Sequence, residues 1–176
     1  MRNAWRIVVA DDYADAADTL AFALGTYGCT PYTARDGPTA LAQIREHKPH
    51  AALLELALPG VAGWDVAPAV RGDPCTTRTV MITVTAWGRN CDRLQAKRCG
   101  FAAYVLKPAN VSDLLRLIDS ALEQRAQPAT LMPTGGKRLL QANKLALAIW
   151  RRLDGSRVWS ATPPHRAATL WRTHAH

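Results

Sequence analysis

Five short segments typical of β-strands alternate with segments of helical periodicity, and this alternation constrains the fold of the chain more than any other sequence feature. The strand segments comprise residues 6–10, 29–33, 51–56, 80–84 and 103–106, and all except 29–33 are mainly apolar. Short apolar runs bounded by polar and turn residues are typical of strands buried on both faces of a sheet. Strands that alternate with helices form a parallel sheet covered on both sides, with right-handed crossovers. The sequence therefore predicts an α/β fold with a five-stranded parallel sheet.

Glycine, proline and capping residues indicate where the intervening helices begin and end. The predicted helices comprise residues 15–27, 38–47, 63–71 and 89–98, and a last helix that begins at Asn110 or Ser112 and ends near residue 124. Pro38 suits the first turn of a helix, where its missing N–H is not needed. Pro31, inside the second strand, predicts an edge position, because proline cannot donate a hydrogen bond to a neighbouring strand.

Polar side chains follow four of the predicted strands at the points where those strands end. Asp11 and Asp12 follow the first strand, Glu55 lies at the end of the third, Thr85 follows the fourth and Lys107 follows the fifth. In an open parallel sheet, ligands bind at the carboxyl ends of the strands. Clustered carboxylates suit Mg²⁺, and an ammonium and a hydroxyl suit the oxygens of a phosphoryl group. The cluster predicts a site for both.

Four motifs make the chain resemble the response regulator receiver domains, the family of the bacterial chemotaxis regulator. The motifs are Val8-Val-Ala-Asp-Asp12, Leu53-Leu-Glu-Leu-Ala-Leu-Pro-Gly60 with Gly63, Thr85-Ala86, and Tyr104-Val-Leu-Lys-Pro108. The resemblance covers about residues 4–124. It implies a doubly wound, flavodoxin-like sheet with strand order 2-1-3-4-5, which agrees with an edge position for the strand that contains Pro31.

The resemblance also implies a role for each of the clustered residues. Asp11 and Asp12 correspond to the acidic pair that holds Mg²⁺, with Glu55 as a third ligand. Thr85 and Lys107 correspond to the groups that contact the phosphoryl oxygens.

The resemblance also implies specific properties for Tyr104 and Pro108. Tyr104 corresponds to the aromatic residue that swings inward on activation and, with Thr85, forms the switch. Pro108 is expected to follow a cis peptide bond. The implied partners are a sensor histidine kinase or a downstream signalling protein, bound through the face of the fourth helix, fifth strand and fifth helix, and dimerisation stays open.

Glu55 departs from the family pattern, because the family carries its phosphoacceptor aspartate at this position. Glutamate is longer by one methylene, roughly 1.5 Å, and a misplacement of about 1 Å in a reacting group can cost ~100-fold in rate. We therefore predict inefficient phosphorylation. Glu55 could instead pair with Lys107 and accept from Thr85, which would partly imitate the phosphorylated state or keep the module constitutively active. A locked, phosphorylation-independent interaction module and true acyl phosphorylation are the alternatives.

The net charge of +8 belongs to the C-terminal part of the chain. Residues 1–124 carry 13 Lys and Arg and 13 Asp and Glu, whereas residues 125–176 carry nine Lys and Arg and a single acid. We therefore predict a receiver domain at 1–124, a linker at 125–136 and a basic tail at 137–176.

The tail contains one predicted helix, which is basic and amphipathic and comprises residues 137–153. Its apolar positions include Leu139, Leu140, Leu147, Trp150 and Leu153. Such a helix could bind a partner, the receiver domain itself or an acidic membrane surface. Positive charge alone also permits non-specific binding to nucleic acid, and a solvated extension without a defined role is the plain alternative.

The sequence argues against several classes of protein. No apolar run approaches the roughly 20 residues of a membrane span, and the run at 7–10 is too short for a signal peptide, which favours a cytoplasmic protein. The four cysteines form no C-x-x-C pair and are expected to be reduced thiols. We expect a signalling module and no turnover enzyme. The alternative is a Mg²⁺-dependent phosphohydrolase at the same acidic edge, although that chemistry also needs an aspartate nucleophile.

Overall fold

The computed structural model describes residues 4–126, so the linker from residue 127 onward and the predicted helix at 137–153 lie outside the described residues. Ten elements alternate within the described range. They are β1 (Arg6–Ala10), α1 (Ala14–Thr26), β2 (Thr30–Ala34), α2 (Gly37–His47), β3 (Ala51–Leu54), α3 (Gly63–Gly72), β4 (Val80–Thr85), α4 (Asn90–Arg98), β5 (Ala103–Leu106) and α5 (Val111–Ala126). None of the helices in this range is long and apolar enough to cross a membrane.

The five strands form one sheet in the order β2-β1-β3-β4-β5, and every neighbouring pair is parallel. This is the order that the resemblance implied. Pro31 lies in β2 at the edge of the sheet, opposite Ile7 of β1. An edge strand has a neighbour on one side only, so the missing N–H of proline is tolerated there. The predicted fold and the predicted edge position are both confirmed.

Helices cover both faces of the sheet, because successive strand residues point to opposite sides. Ile7 and Val9 of β1 pack with residues of α1 and α5. Val8 and Ala10 pack with residues of α2, α3 and α4. The sheet is therefore the shared wall of two apolar cores, and its carboxyl edge is held in place from both sides.

Four strand boundaries differ from the predicted ones, at the start and end of β2 and at the ends of β3 and β4. Backbone hydrogen bonds explain two of these differences. The second strand begins at Thr30, because the N–H of Cys29 donates to Leu24 O at the end of α1 and not to a strand. The third strand ends at Leu54, before the predicted end at residue 56. There the N–H of Glu55 still donates to Ala10 O, but the N–H of Leu56 donates to the carboxylate of Glu55 itself.

A close approach between α3 and the end of β3 shapes the turn that follows Glu55. The N–H of Gly63 donates to Leu56 O at 2.9 Å. A Cβ atom on Gly63 would lie only 2.4 Å from Glu55 O, a distance at which atoms overlap. Glycine at this position therefore allows the start of α3 to lie directly against the strand that carries Glu55.

Candidate functional site

Four of the predicted site residues converge at the carboxyl edge of the sheet. Lys107, which follows β5, extends its ammonium between two acids: Nζ lies 2.6 Å from Asp11 Oδ2 and 2.9 Å from Glu55 Oε2. Thr85, the last residue of β4, is fully buried and hydrogen bonds to Glu55. Parallel strands bring these ends together even though Asp11 and Lys107 are far apart in the sequence.

The carboxylate of Glu55 is held by three donors. Its Oε1 accepts from Thr85 Oγ1 at 2.5 Å and from the N–H of Leu56 at 2.7 Å. Its Oε2 faces the Lys107 ammonium. The side chain is only 8% exposed, so its two oxygens meet protein donors and little water. Two of these donors, Thr85 and Lys107, are the groups predicted to hold a phosphoryl group.

The electrostatics of the site favour an ionised pair. Burial, the largest single effect, raises the pKa of Glu55, but the hydrogen bonds from Thr85, Lys107 and the Leu56 N–H together outweigh it and leave that pKa below its ordinary value. For Lys107, burial lowers the pKa, and the bonds to Asp11 and Glu55 reverse the direction and raise it. Glu55 is therefore a carboxylate and Lys107 an ammonium at neutral pH.

The three predicted metal ligands are not gathered around a common point. Asp12 lies exposed on the surface. The two oxygens of Asp11 accept from the Tyr13 N–H and from Lys107. Within residues 4–126, no group of three or more His, Cys, Asp or Glu side chains is arranged to hold a metal ion. With the Lys107 ammonium between two of the acids, the side chains as arranged do not fit Mg²⁺, and the magnesium site stays a prediction.

Tyr104 points into the protein. It is 5% exposed, and its phenol donates a hydrogen bond to the backbone carbonyl of Trp87. Burial raises the pKa of Tyr104 to about 12, which keeps the phenol protonated and able to donate. The guanidinium carbon of Arg93, in α4, lies 5.6 Å from the centre of the ring, within cation–π range.

The backbone of Trp87 links the two predicted switch residues. Its N–H donates to Thr85 Oγ1 at 3.2 Å, and its carbonyl accepts from Tyr104. Sequence reasoning did not find this role, because it belongs to main-chain atoms and leaves no mark on the side-chain pattern. Arg93 was also missed, since one cation on a polar helix gives no signal that separates a ring contact from a solvated charge.

The backbone of Lys107 is held against the end of β4. The N–H of Lys107 donates to Thr85 O at 2.8 Å, which continues the pairing of β5 with β4 by one residue. The peptide bond between Lys107 and Pro108 is cis, as the resemblance implied.

Comparisons with known proteins agree on one family. The family model described as the response regulator receiver domain matches residues 7–119. Among curated proteins, the chain is similar to the sensory transduction protein RegX3 of Mycolicibacterium smegmatis, with 32% identity over 120 residues that cover 68% of this chain and 51% of that protein. The chain thus spans about half the length of this relative.

Solved structures give the same result. The signal receiver domain of the response regulator NarL from Mycobacterium tuberculosis shares 28% identity at a TM-score of 0.59, with 70% of this chain and 98% of that chain covered. A CheY-like receiver domain protein from Methanospirillum hungatei shares 25% identity at a TM-score of 0.63, with 69% and 95% covered.

Proposed function

Because the match over residues 7–119 shows that the chain belongs to the response regulator receiver domain family, we propose that it is a receiver of two-component signalling in which Glu55 acts as a fixed signal without phosphorylation. Receiver domains are in general signalling modules that act through protein contacts and not through turnover. This chain departs from the family pattern in one side chain, that of Glu55.

The observation that carries the proposal is the hydrogen bond between Thr85 and Glu55 in combination with the buried ring of Tyr104. In the family, the hydroxyl moves toward a phosphoryl group and the aromatic side chain turns inward on activation. Here the glutamate carboxylate receives the hydroxyl directly. It contributes one negative charge, against about −1.5 to −2 for a phosphoryl group, so the imitation is partial.

The occupied oxygens of Glu55 also support the view that it is not an acceptor. In-line attack on phosphorus requires an oxygen with a free lone pair in the correct direction, and small displacements are costly. Oε1 already accepts two hydrogen bonds, and Oε2 is paired with Lys107. Attack from Oε1 would require one of its two hydrogen bonds to break, and attack from Oε2 would be weakened by its pairing with the Lys107 ammonium.

The proposed function requires no metal ion at the site. Receiver domains typically bind Mg²⁺ at the phosphorylation site. In this chain the Lys107 ammonium supplies the positive charge that Asp11 and Glu55 need. The expected magnesium site at Asp11, Asp12 and Glu55 would require Lys107 to withdraw first, and we therefore expect weak binding of Mg²⁺.

The proposed output surface is the face formed by α4, β5 and α5. Response regulators interact with sensor histidine kinases and downstream proteins. On this face the side chains of Trp87, Leu94 and Leu106 are exposed, and a group of exposed apolar side chains is typical of a protein interaction site. Trp87 also connects Thr85 to Tyr104, so the state of Glu55 can reach this surface through a few hydrogen bonds.

The deciding experiment compares phosphorylation of the wild-type chain with that of the Glu55→Asp variant. After incubation with acetyl phosphate and Mg²⁺, we expect an intact-mass phosphate adduct on Glu55→Asp and none on the wild type. Glu46→Asp is the matched control, because Glu46 is exposed on α2, and it should remain unmodified. A stoichiometric adduct on the wild-type chain would overturn the proposal.

A further inference from the structure

We propose that the basic segment 137–153 of this chain docks in a cavity between α1 and the start of α5, and so covers the α1 face of the receiver domain. The proposal does not depend on the role of Glu55. It rests on an apolar cavity, on the distribution of charge around it and on the length of chain that follows α5.

The cavity has a volume of about 440 Å³ and opens on the α1 side of the sheet. One wall is a stripe of α1 side chains at helical spacing, and the opposite wall is the segment that runs from Lys107 into α5. The lining includes Ala16, Thr19, Leu20 and Ala23 on the first wall and Ala109 and Val111 on the second. Small side chains on both walls leave room for larger apolar groups from elsewhere.

Two exposed aromatic side chains enlarge the apolar surface beside the cavity. Tyr13, which lines it, is 66% exposed, and Phe22 is 77% exposed. Phe22 lies three residues after Thr19 on α1, which makes the two side chains neighbours on the helix surface. Exposed apolar side chains beside a cavity are a feature of interaction sites.

The charge around the cavity is negative. No Lys or Arg occurs between Arg6 and Arg35, whereas this stretch contains four aspartates. Asp11 is paired with Lys107, and Asp18 is paired with Arg35. Asp12 and Asp15 form no ion pair with any residue of the described range, and both are exposed, so they are available to a cation on an arriving segment.

Residues 137–153 have the complementary character. The segment contains Lys137, Arg138, Lys144, Arg151 and Arg152, and no Asp or Glu. Its apolar residues match an apolar cavity, and its cations match the free aspartates at the rim. The segment and the cavity are therefore complementary both in apolar character and in charge.

Charge argues against docking of the basic segment on the other exposed apolar group of the receiver domain. Trp87, Leu94 and Leu106 lie beside α4, which carries three basic residues and one acid, Asp92. A basic segment would be repelled there, because like charges at short range are destabilising. The α1 cavity is therefore the favoured site.

The chain is long enough to make this connection. Helix α5 has 16 residues, which corresponds to about 24 Å. The ten residues 127–136 can extend up to about 33–36 Å. A chain leaving the end of α5 can thus return along that helix and deliver residue 137 to the cavity beside its first turn.

Hydrogen exchange measured by mass spectrometry on the full chain tests the proposal. The variant Lys137→Glu/Arg138→Glu/Lys144→Glu reverses three charges of the segment. The control variant Arg157→Glu/Arg166→Glu/Arg172→Glu reverses three charges outside it. We expect the amides of α1 to exchange roughly tenfold faster in the first variant than in the wild type, and the control to match the wild type.

A substitution in the receiver domain provides an independent test of the same docking. Thr19→Lys places a cation at an exposed position of the cavity wall, so it should release α1 to the same extent without disturbing the core. Zero-length carbodiimide cross-links should join Lys137 or Lys144 to Asp12 or Asp15. Equal exchange in all variants would overturn the proposal. Protection of α4 and β5 in place of α1, or protection that rises with protein concentration, would also overturn it.

Discussion

At the scale of single residues, the site is a set of charges that neutralise one another in a space with little water. Asp11 and Glu55 bring two negative charges, and the Lys107 ammonium lies within hydrogen-bond distance of both. A buried charge without a partner is costly, which is why the three side chains hold each other in place. Thr85 adds a fixed donor that directs one oxygen of Glu55. The same contacts are the basis for our proposal that Glu55 is not a phosphoacceptor.

Replacing Lys107 by Gln should destabilise the folded domain. Asp11 and Glu55 would repel each other without a cation between them, so we expect the free energy of unfolding to fall by about 1–3 kcal/mol. The expected loss is smaller than for a fully buried pair, because the Lys107 side chain is 29% exposed. Urea unfolding of the variant and the wild type measures the difference.

The Lys107→Gln variant should also differ from the wild type in its response to Mg²⁺. With the ammonium removed, Mg²⁺ should restore more stability to Lys107→Gln than it adds to the wild type, since binding to the native state stabilises it. Lys97→Gln, at an exposed position of α4, is the control and should show neither effect. An equal response of all three proteins to Mg²⁺ would contradict competition between lysine and metal.

At the scale of elements, the site depends on how closely α3 approaches the end of β3. Gly63 begins α3 and leaves no room for a side chain against Glu55 O. The turn that precedes it contains Gly60, with a φ of 73°, a conformation that favours glycine. Both glycines belong to the motif that follows Glu55. Their role is to pack a helix start against the strand end and so to fix the backbone from which Glu55 projects.

Gly63→Ala should destabilise the domain even though alanine is the better helix former. The added Cβ would meet Glu55 O at 2.4 Å and Leu56 Cα at 3.0 Å, so α3 must move away from β3, and we expect a cost of about 1–3 kcal/mol. Gly72→Ala is a control in the same helix, with nothing within 4 Å of the added atom. Chemical unfolding should find this control equal to or more stable than the wild type. Equal losses in both variants would contradict the steric explanation.

At the scale of the whole molecule, the two apolar cores hold the sheet in place, and a short network of hydrogen bonds runs along its carboxyl edge. Glu55 bonds to Thr85, Thr85 to the backbone of Trp87, and Trp87 to Tyr104. The last two residues border the proposed output face. The network gives a physical route by which the side chain at one strand end can bias the conformation of a surface two strands away.

Glu55→Asp should loosen this network in the absence of phosphorylation. The shorter side chain withdraws its carboxylate by roughly 1.5 Å, which breaks the bond to Thr85 and lowers the population with Tyr104 inside. Fluorotyrosine NMR should then report a more exposed Tyr104, assigned through Tyr104→Phe, and acetyl phosphate should reverse the change. Glu46→Asp should leave the spectrum unaltered. A Tyr104 signal identical in Glu55→Asp and the wild type would mean that this residue does not control the switch.

The sequence by itself determined the elements, the fold and the identity of the residues at the strand ends. These properties follow from local periodicity and from the rule that parallel strands carry their functional groups at one edge. It did not determine which oxygen meets which donor. Asp11 and Asp12 are adjacent, yet one is buried and the other exposed, because successive residues at a strand end point to opposite sides. The sequence predicted that Glu55 could pair with Lys107 and accept from Thr85, and the structure shows both contacts. The second pairing of Lys107, with Asp11, and the bridge through the backbone of Trp87 were decided by the tertiary structure alone. Both depend on the register of strands that are distant in the chain, and local pattern carries no information about that register.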